Sequence, residues 1–335
     1  MAQNSGAGLY TQFVGDLPLT AEESPTEGLH PDSAQISSAE ACWDHFESQE
    51  SRICAALSRC RSEALEAAQW WAQTLSGEGR IIGLGAGTSG RLIALEMAEW
   101  GPTFSISEER RVALLAGGSA ALTRAIEGAE DDGSAGRKAV SAEKVGHTDL
   151  VLGVSASGAA KYVREGLVEA DARGARTILI TGNPDLNMPL KGQHLRVLLD
   201  TGSETVAGST RLGAATATHR LLHRISTMGA QSLDWIFRGR MVRMQVTNAK
   251  LRRRAVTIVS ELTQLSESRS QALISDSDND LCVAVAAGWL GSSNIFAREA
   301  LIAVNGRLSV LEGHLEPLRS GQVSPEELAV RLGKP

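Results

Sequence analysis

"RIIGLGAGTSGRLIALEMAEW" (residues 80–100) carries Gly-x-Gly-x-x-Gly at Gly85, Gly87 and Gly90. An apolar run enters the glycines and a helical pattern leaves them. Such a junction places backbone N–H groups and the positive end of a helix dipole at a strand end, which suits a phosphate. A dinucleotide fold also needs an acidic residue about 20 positions on, at the end of the second strand. Glu108 and Glu109 lie at that distance, but they precede the next apolar run, 111–118, which ends in "LLAGGS" without a carboxylate. The loop therefore reads as a cradle for a smaller phosphate.

Working outward, short apolar runs recur at 80–87, 111–118, 149–157, 176–184 and 195–202, each closed by Gly, Ser or Asn. "DLVLGVS" and "RTILIT" are apolar throughout rather than alternating, as strands buried on both faces of a parallel sheet are. Helical stretches at 89–100, 120–129 and 159–174 separate them, so the spacing predicts a doubly wound α/β domain. Residues 36–75 read as helical. Residues 208–265 read as mostly helical, with breaks at Gly229 and Gly239. "SDSDND" (275–280) reads as a loop, followed by two or three short helices to about residue 315. The expected organisation is a mobile tail over 1–25, a phosphate-binding domain with flanking helices over 26–265, and a small helical domain over 266–335.

Composition excludes several classes. The 335 residues are 42% hydrophobic and 21% charged, as in ordinary globular domains, and the net charge of −6 argues against a nucleic-acid surface. Arg252-Arg253-Arg254 reads as a solvated helix face. Cys42, Cys54, Cys60 and Cys282 form no Cys-x-x-Cys, and no signal-peptide pattern opens the sequence, so a reduced, cytoplasmic protein is expected. No apolar stretch reaches the roughly 18 to 20 residues of a membrane helix.

Thr88 and Ser89 sit where the first strand meets its helix. Ser155 and Ser157, in "GVSASGAAKY", sit at the matching end of the third. Each could be a simple helix cap. Two matched hydroxyl loops at strand ends favour one shared phosphomonoester.

"GAGTSGRL" (85–92), "SASG" (155–158) and "GSTRL" (208–212) together resemble a sugar isomerase (SIS) domain, and more narrowly the N-acetylmuramic acid 6-phosphate etherase family. "TEGLHPDSAQIS" (26–37), "AEWGPTF" (98–104), "AIEGAEDD" (125–132) and "QVTNAKL" (245–251) extend the resemblance over most of the chain. The glucokinase regulatory protein is the non-enzymatic relative. The resemblance implies an SIS-type three-layer sandwich with a parallel five-stranded sheet, N-terminal helices and a C-terminal helical domain. It also implies a homodimer in which the partner helps complete each site.

The implied reaction cleaves the D-lactyl ether of a phosphorylated amino sugar by elimination and hydration, with two carboxyl groups of different proton affinity and neither metal nor redox cofactor. By motif, Glu99 matches the acid and Glu130 the base, with Glu127 the structural neighbour. Gly87, Thr88, Ser89, Gly90, Ser155, Ala156, Ser157 and Gly158 match the phosphate loops. Glu204, Ser209 and Thr210 match a loop that lines the sugar. The run Glu130-Asp131-Asp132 is expected to raise at least one carboxyl pKa by mutual repulsion.

The chain also departs from the family. Ala159 and Ala160 stand where Arg and Thr are usual, Gly213 replaces a Lys, and Trp100 replaces a Cys. These changes leave open another phosphosugar as substrate, or a non-catalytic sensor. Lys161 is a candidate replacement cation. His219 and His223 are spaced to share a helix face, but no Glu follows His219 as a zinc-protease motif requires, so no metal is expected. Trp70-Trp71 reads as core or interface rather than a sugar platform.

Overall fold

The computed structural model describes residues 25, 26, 28, 36 and 38–333; most of the expected tail and of the 26–37 motif lies outside them. The 36–75 region is two helices, α1 (Ala39–Arg59) and α2 (Arg61–Ser76), broken at Cys60. Then β1 (Ile81–Gly85), α3 (Gly87–Phe104), β2 (Arg111–Leu115), α4 (Gly133–Ala142), β3 (Leu150–Val154), α5 (Lys161–Ala172), β4 (Arg176–Thr181) and β5 (His194–Leu198) build the sheet and its covering helices. Helix α6 (Gly213–Ser232) follows.

All five strands are parallel, in the order β2-β1-β3-β4-β5. The central strands β1 and β3 are buried along their whole length, as their unbroken apolar character predicts. Alternate residues feed opposite faces. Ile81, Leu150, Leu152, Ile178 and Ile180 pack under α2, α3 and α6. Ile82, Leu84, Val151 and Leu179 pack under α4 and α5. The result is a three-layer sandwich.

Two expectations about helices are corrected. Residues 120–129 are not helical; they hold a 3-10 turn at Ser119–Leu122 and lead into another at Ala129–Asp131. Left-handed glycines at 118 and 128 interrupt the path, and the helix begins only at α4, capped by Asp132. Gly229 does not break α6. It lies buried in mid-helix, where a Cβ would overlap the indole of Trp71, so its smallness lets α6 approach α2.

Gly239 is the break expected there, turning β6 (Ile236–Phe237) into β7 (Arg240–Met241) with φ 74°. After α7 (Ala249–Thr263), the helices α9 (Leu281–Leu290), α10 (Asn294–Ala303) and α11 (Leu308–Glu312) are the short ones expected to about residue 315; α8 (Glu267–Asp276), which takes in the first two residues of the expected 275–280 loop, α12 (Leu315–Arg319) and α13 (Pro325–Arg331) come in addition. They surround the apolar α9. Their core runs from Phe237 to Leu328, so α7 packs with the C-terminal helices. Among the described residues no single helix is long and apolar enough to cross a membrane.

Trp71 anchors the face under α6. It is buried and makes edge-on contacts with Trp100, Phe104 and Trp235 at centroid distances of 5.5, 6.2 and 5.6 Å. Trp71→Ala is expected to destabilise the protein by about 3–5 kcal/mol, read as a lower urea midpoint.

Candidate active site

Gly85 and Gly90 face each other across the β1–α3 turn. A Cβ on Gly85 would lie 2.5 Å from the Gly90 Cα, and one on Gly90 would lie 2.8 Å from the Gly85 carbonyl oxygen. Both glycines exist so that strand and helix can touch. Between them Gly87 opens α3 at φ 52°. On the adjacent strand, β3 runs out into Ser155-Ala156-Ser157-Gly158 before α5. Here Gly158 turns at φ 79°, the Ser157 hydroxyl accepts from the Ala159 amide at 3.2 Å, and the Ser157 carbonyl accepts from Asn183 at 3.0 Å.

A cavity of about 160 Å³ lies between these two turns. It is lined by Gly87, Thr88 and Ser89 on one side, by Ser155, Ala156 and Ser157 on the other, and by Glu130 and Thr210. A second cavity of about 200 Å³ shares Gly87, Thr88 and Glu130, and adds Arg91, Arg124 and Glu127. Arg91 ties the intervening loop in place by donating to the carbonyls of Ala121 and Arg124, both at 2.9 Å.

Helix capping singles out the same place. Helices α1, α4, α7, α8, α9 and α10 each have an N-cap side chain accepting from their first turn, from Ser38, Asp132, Asn248, Ser266, Asp280 and Ser293 respectively. Helix α2 continues from α1, and α6 is capped from a distance by Glu204. Among the helices of ten or more residues, that leaves α3 and α5, whose N-caps are Ala86 and Ala160 and which have no side-chain cap. Both residues line the smaller cavity. First-turn amides left without a side-chain acceptor form an anion site. A larger cavity of about 550 Å³ lies against α9 and α10, but the α9 N-terminus there is already capped by Asp280.

Glu130 is exposed and lines both smaller cavities. Its neighbour Asp132 does not follow the expected repulsion. The Ala135 amide and then the Ser134 hydroxyl hold its carboxyl below the usual range, because it caps α4. Glu127 is exposed at the rim of the larger of the two.

Glu99 is not brought to this pocket. It is exposed on α3, twelve residues beyond Gly87, about 18 Å away at 1.5 Å per residue. Trp100 points the other way, into the core, and donates its indole N–H to buried Glu96 at 3.0 Å.

Glu204 is also elsewhere. It is buried, and its carboxylate accepts from Gln49 at 2.9 Å and from the amides of Gly213 and Ala214 at 2.8 and 2.9 Å. It caps α6 and is not among the residues that line the cavity. Thr210 lines the cavity; Ser209 and Gly158 shape the loops behind it. The Gly208 amide in the same loop donates to the Thr26 carbonyl at 2.9 Å, joining two motifs far apart in sequence. Lys161 is exposed at the start of α5, outside the cavity lining.

A parallel sheet with two uncapped helix N-termini at one strand-end cavity defines an α/β protein whose cavity has the make-up of a small-anion site. The model of the glucokinase regulatory protein N-terminal SIS domain matches residues 64–170. The N-acetylmuramic acid 6-phosphate etherase of Gloeobacter violaceus is 36% identical over 287 residues, covering 85% of this chain and 94% of that protein. The protein of that name from Salmonella choleraesuis is 35% identical, with coverages of 80% and 90%. A phosphoheptose isomerase structure from Francisella tularensis aligns with TM-score 0.44 and 18% identity over 58% of this chain and all of that one. The chain belongs to the N-acetylmuramic acid 6-phosphate etherase family.

Gly213, which departs from the family pattern, now has a local reason. A Cβ there would lie 2.5 Å from the Gln49 side-chain nitrogen, so the buried Gln49–Glu204 pair occupies that space. Gln49 and Glu96 carry no motif and could not be found from sequence. Glu204→Ala is expected to cost about 3–5 kcal/mol of stability, measured by chemical denaturation, because three buried donors lose their acceptor. At temperatures where the variant stays folded, its affinity for a phosphosugar is expected to match the wild type; a sugar ligand would lose it.

Proposed function

We propose that this protein cleaves the D-lactyl ether of N-acetylmuramic acid 6-phosphate, releasing D-lactate and N-acetylglucosamine 6-phosphate. The carrying observation is that Glu130 lines the same cavity as the two uncapped helix N-termini. Phosphate held by the α3 and α5 amides and the Ser89, Ser155 and Ser157 hydroxyls fixes one end of the sugar. In the open-chain form the C1 aldehyde acidifies the C2 proton, which Glu130 removes. An acid protonates the ether oxygen on C3 as the C3–O bond breaks and D-lactate leaves. Water then adds at C3 and a proton returns to C2, so the net change is hydrolysis of the ether.

Glu99 matches the family's acid, yet a six-carbon sugar phosphate anchored at Gly87 does not span the distance to it on the same chain. We therefore place Glu99 in the site of a second copy, related by a twofold axis, which makes the functional unit a homodimer. This reading is in keeping with a cytoplasmic enzyme acting on a phosphorylated amino sugar without a redox cofactor.

The wild type is expected to release D-lactate from purified N-acetylmuramic acid 6-phosphate, and Glu130→Gln and Glu99→Gln each to lower kcat by about 10²–10⁴-fold. Thermal protection by phosphosugars without any lactate release would replace the etherase by a sensor or by an enzyme for another phosphosugar. Unfolding and refolding the two variants together is expected to restore about a quarter of the wild-type rate, since half the dimers then hold one complete site. No recovery would place Glu99 outside the partner's site.

A further inference from the structure

His219 and His223 lie on adjacent turns of α6, with ring centroids 4.1 Å apart. Their sequence neighbourhood offers no third ligand. The fold supplies one from α3: Glu96 presents a carboxylate oxygen to this pair across the α3–α6 seam. The Glu96 oxygen and His223 Nδ1 are 2.7 Å apart, and one ligand atom from each of the three residues lies within 4.8 Å of the others. A tetrahedral zinc with ligands near 2.1 Å sets them roughly 3.4 Å apart, a value those two distances bracket. Small side-chain rotations close the site.

The carboxylate is also held as a ligand is held. Its other oxygen accepts from the Trp100 indole N–H at 3.0 Å and the Ser226 hydroxyl at 2.6 Å. Such outer contacts fix the orientation of coordinating groups. Glu96 is buried, and among the described residues its ion-pair partner is His223 alone. A divalent cation would compensate the buried charge more completely. His219 is half-buried and His223 exposed, so an ion can enter from solvent and a fourth coordination position stays open.

We propose that Glu96, His219 and His223 form a site for a transition-metal dication of the zinc class, clamping α3 to α6. Two imidazoles and one carboxylate suit Zn²⁺, Co²⁺ or Ni²⁺ and not Mg²⁺. The proposal is independent of the etherase reading, since the three residues lie outside the cradle.

The test uses the full, untagged chain stripped with chelator. Titration with ZnCl2 by calorimetry is expected to show one equivalent bound with Kd of about 10 μM or tighter. CoCl2 is expected to give tetrahedral d–d absorption bands that Zn²⁺ displaces. MgCl2 is expected to bind no more than background. His219→Ala and His223→Ala, both at solvent-accessible positions, are each expected to weaken zinc binding at least tenfold with far-UV circular dichroism unchanged. Absence of saturable zinc binding up to about 1 mM overturns the proposal. Unchanged affinity in the double variant does the same, as does a cobalt spectrum without nitrogen-ligand character in the wild type. Any of these leaves Glu96–His223 as a hydrogen-bonded pair only.

Discussion

The contact that organises the molecule is backbone against backbone, where Gly85 at the end of β1 meets Gly90 in the first turn of α3. No side chain fits between them. Because they touch, α3 starts immediately over the strand, and its first amides face the opening beyond the sheet edge. β3 pairs with β1 in register, Val154 beside Gly85, so the Ser155–Gly158 turn arrives at the same level. Two helix ends thus converge on one volume without any residue having to reach for it.

What those ends lack matters as much as what they present. Elsewhere this chain caps its helices freely with Ser, Asp and Asn. At α3 and α5 the capping positions are alanines, and the first-turn electrostatic field is left for something outside the protein. Asp132 shows the contrast within a few residues: a carboxylate of the same acidic run is used up in capping α4, while Glu130 remains available at the cavity wall.

Much of this was legible in the sequence, because strand burial and turn chemistry are local. Unbroken apolar runs such as "DLVLGVS" marked buried parallel strands, and the glycine spacing marked the β1–α3 junction. What was not legible depends mostly on packing between segments far apart in sequence. Gly229 looks like a helix breaker until Trp71, 158 residues earlier, is seen to need the space. Glu204 reads in sequence as part of a loop that lines the sugar, and its Gln49 and α6 amide partners come together only through the fold. The missed C-terminal helices are short and separated by turns, which weakens their periodicity. His219 and His223 show a regular spacing in sequence, but Glu96 joins them only through packing of α3 on α6.

Helix α3 has a further property. It lines the strand-end cavity with its first turn, holds Glu96 at the α6 seam and carries Glu99 near its far end, all on one continuous rod. Along such a rod position and heading are geared together: each residue advances the chain by about 1.5 Å and turns it by about 100°. Adding or deleting a single residue between Gly90 and Glu96 would swing both glutamates to a different face while barely changing their distance from the cradle. Loops in general can change length without such a swing. This helix cannot, so its residue count is itself a specification, setting how far apart the two ends act and in which direction each one looks.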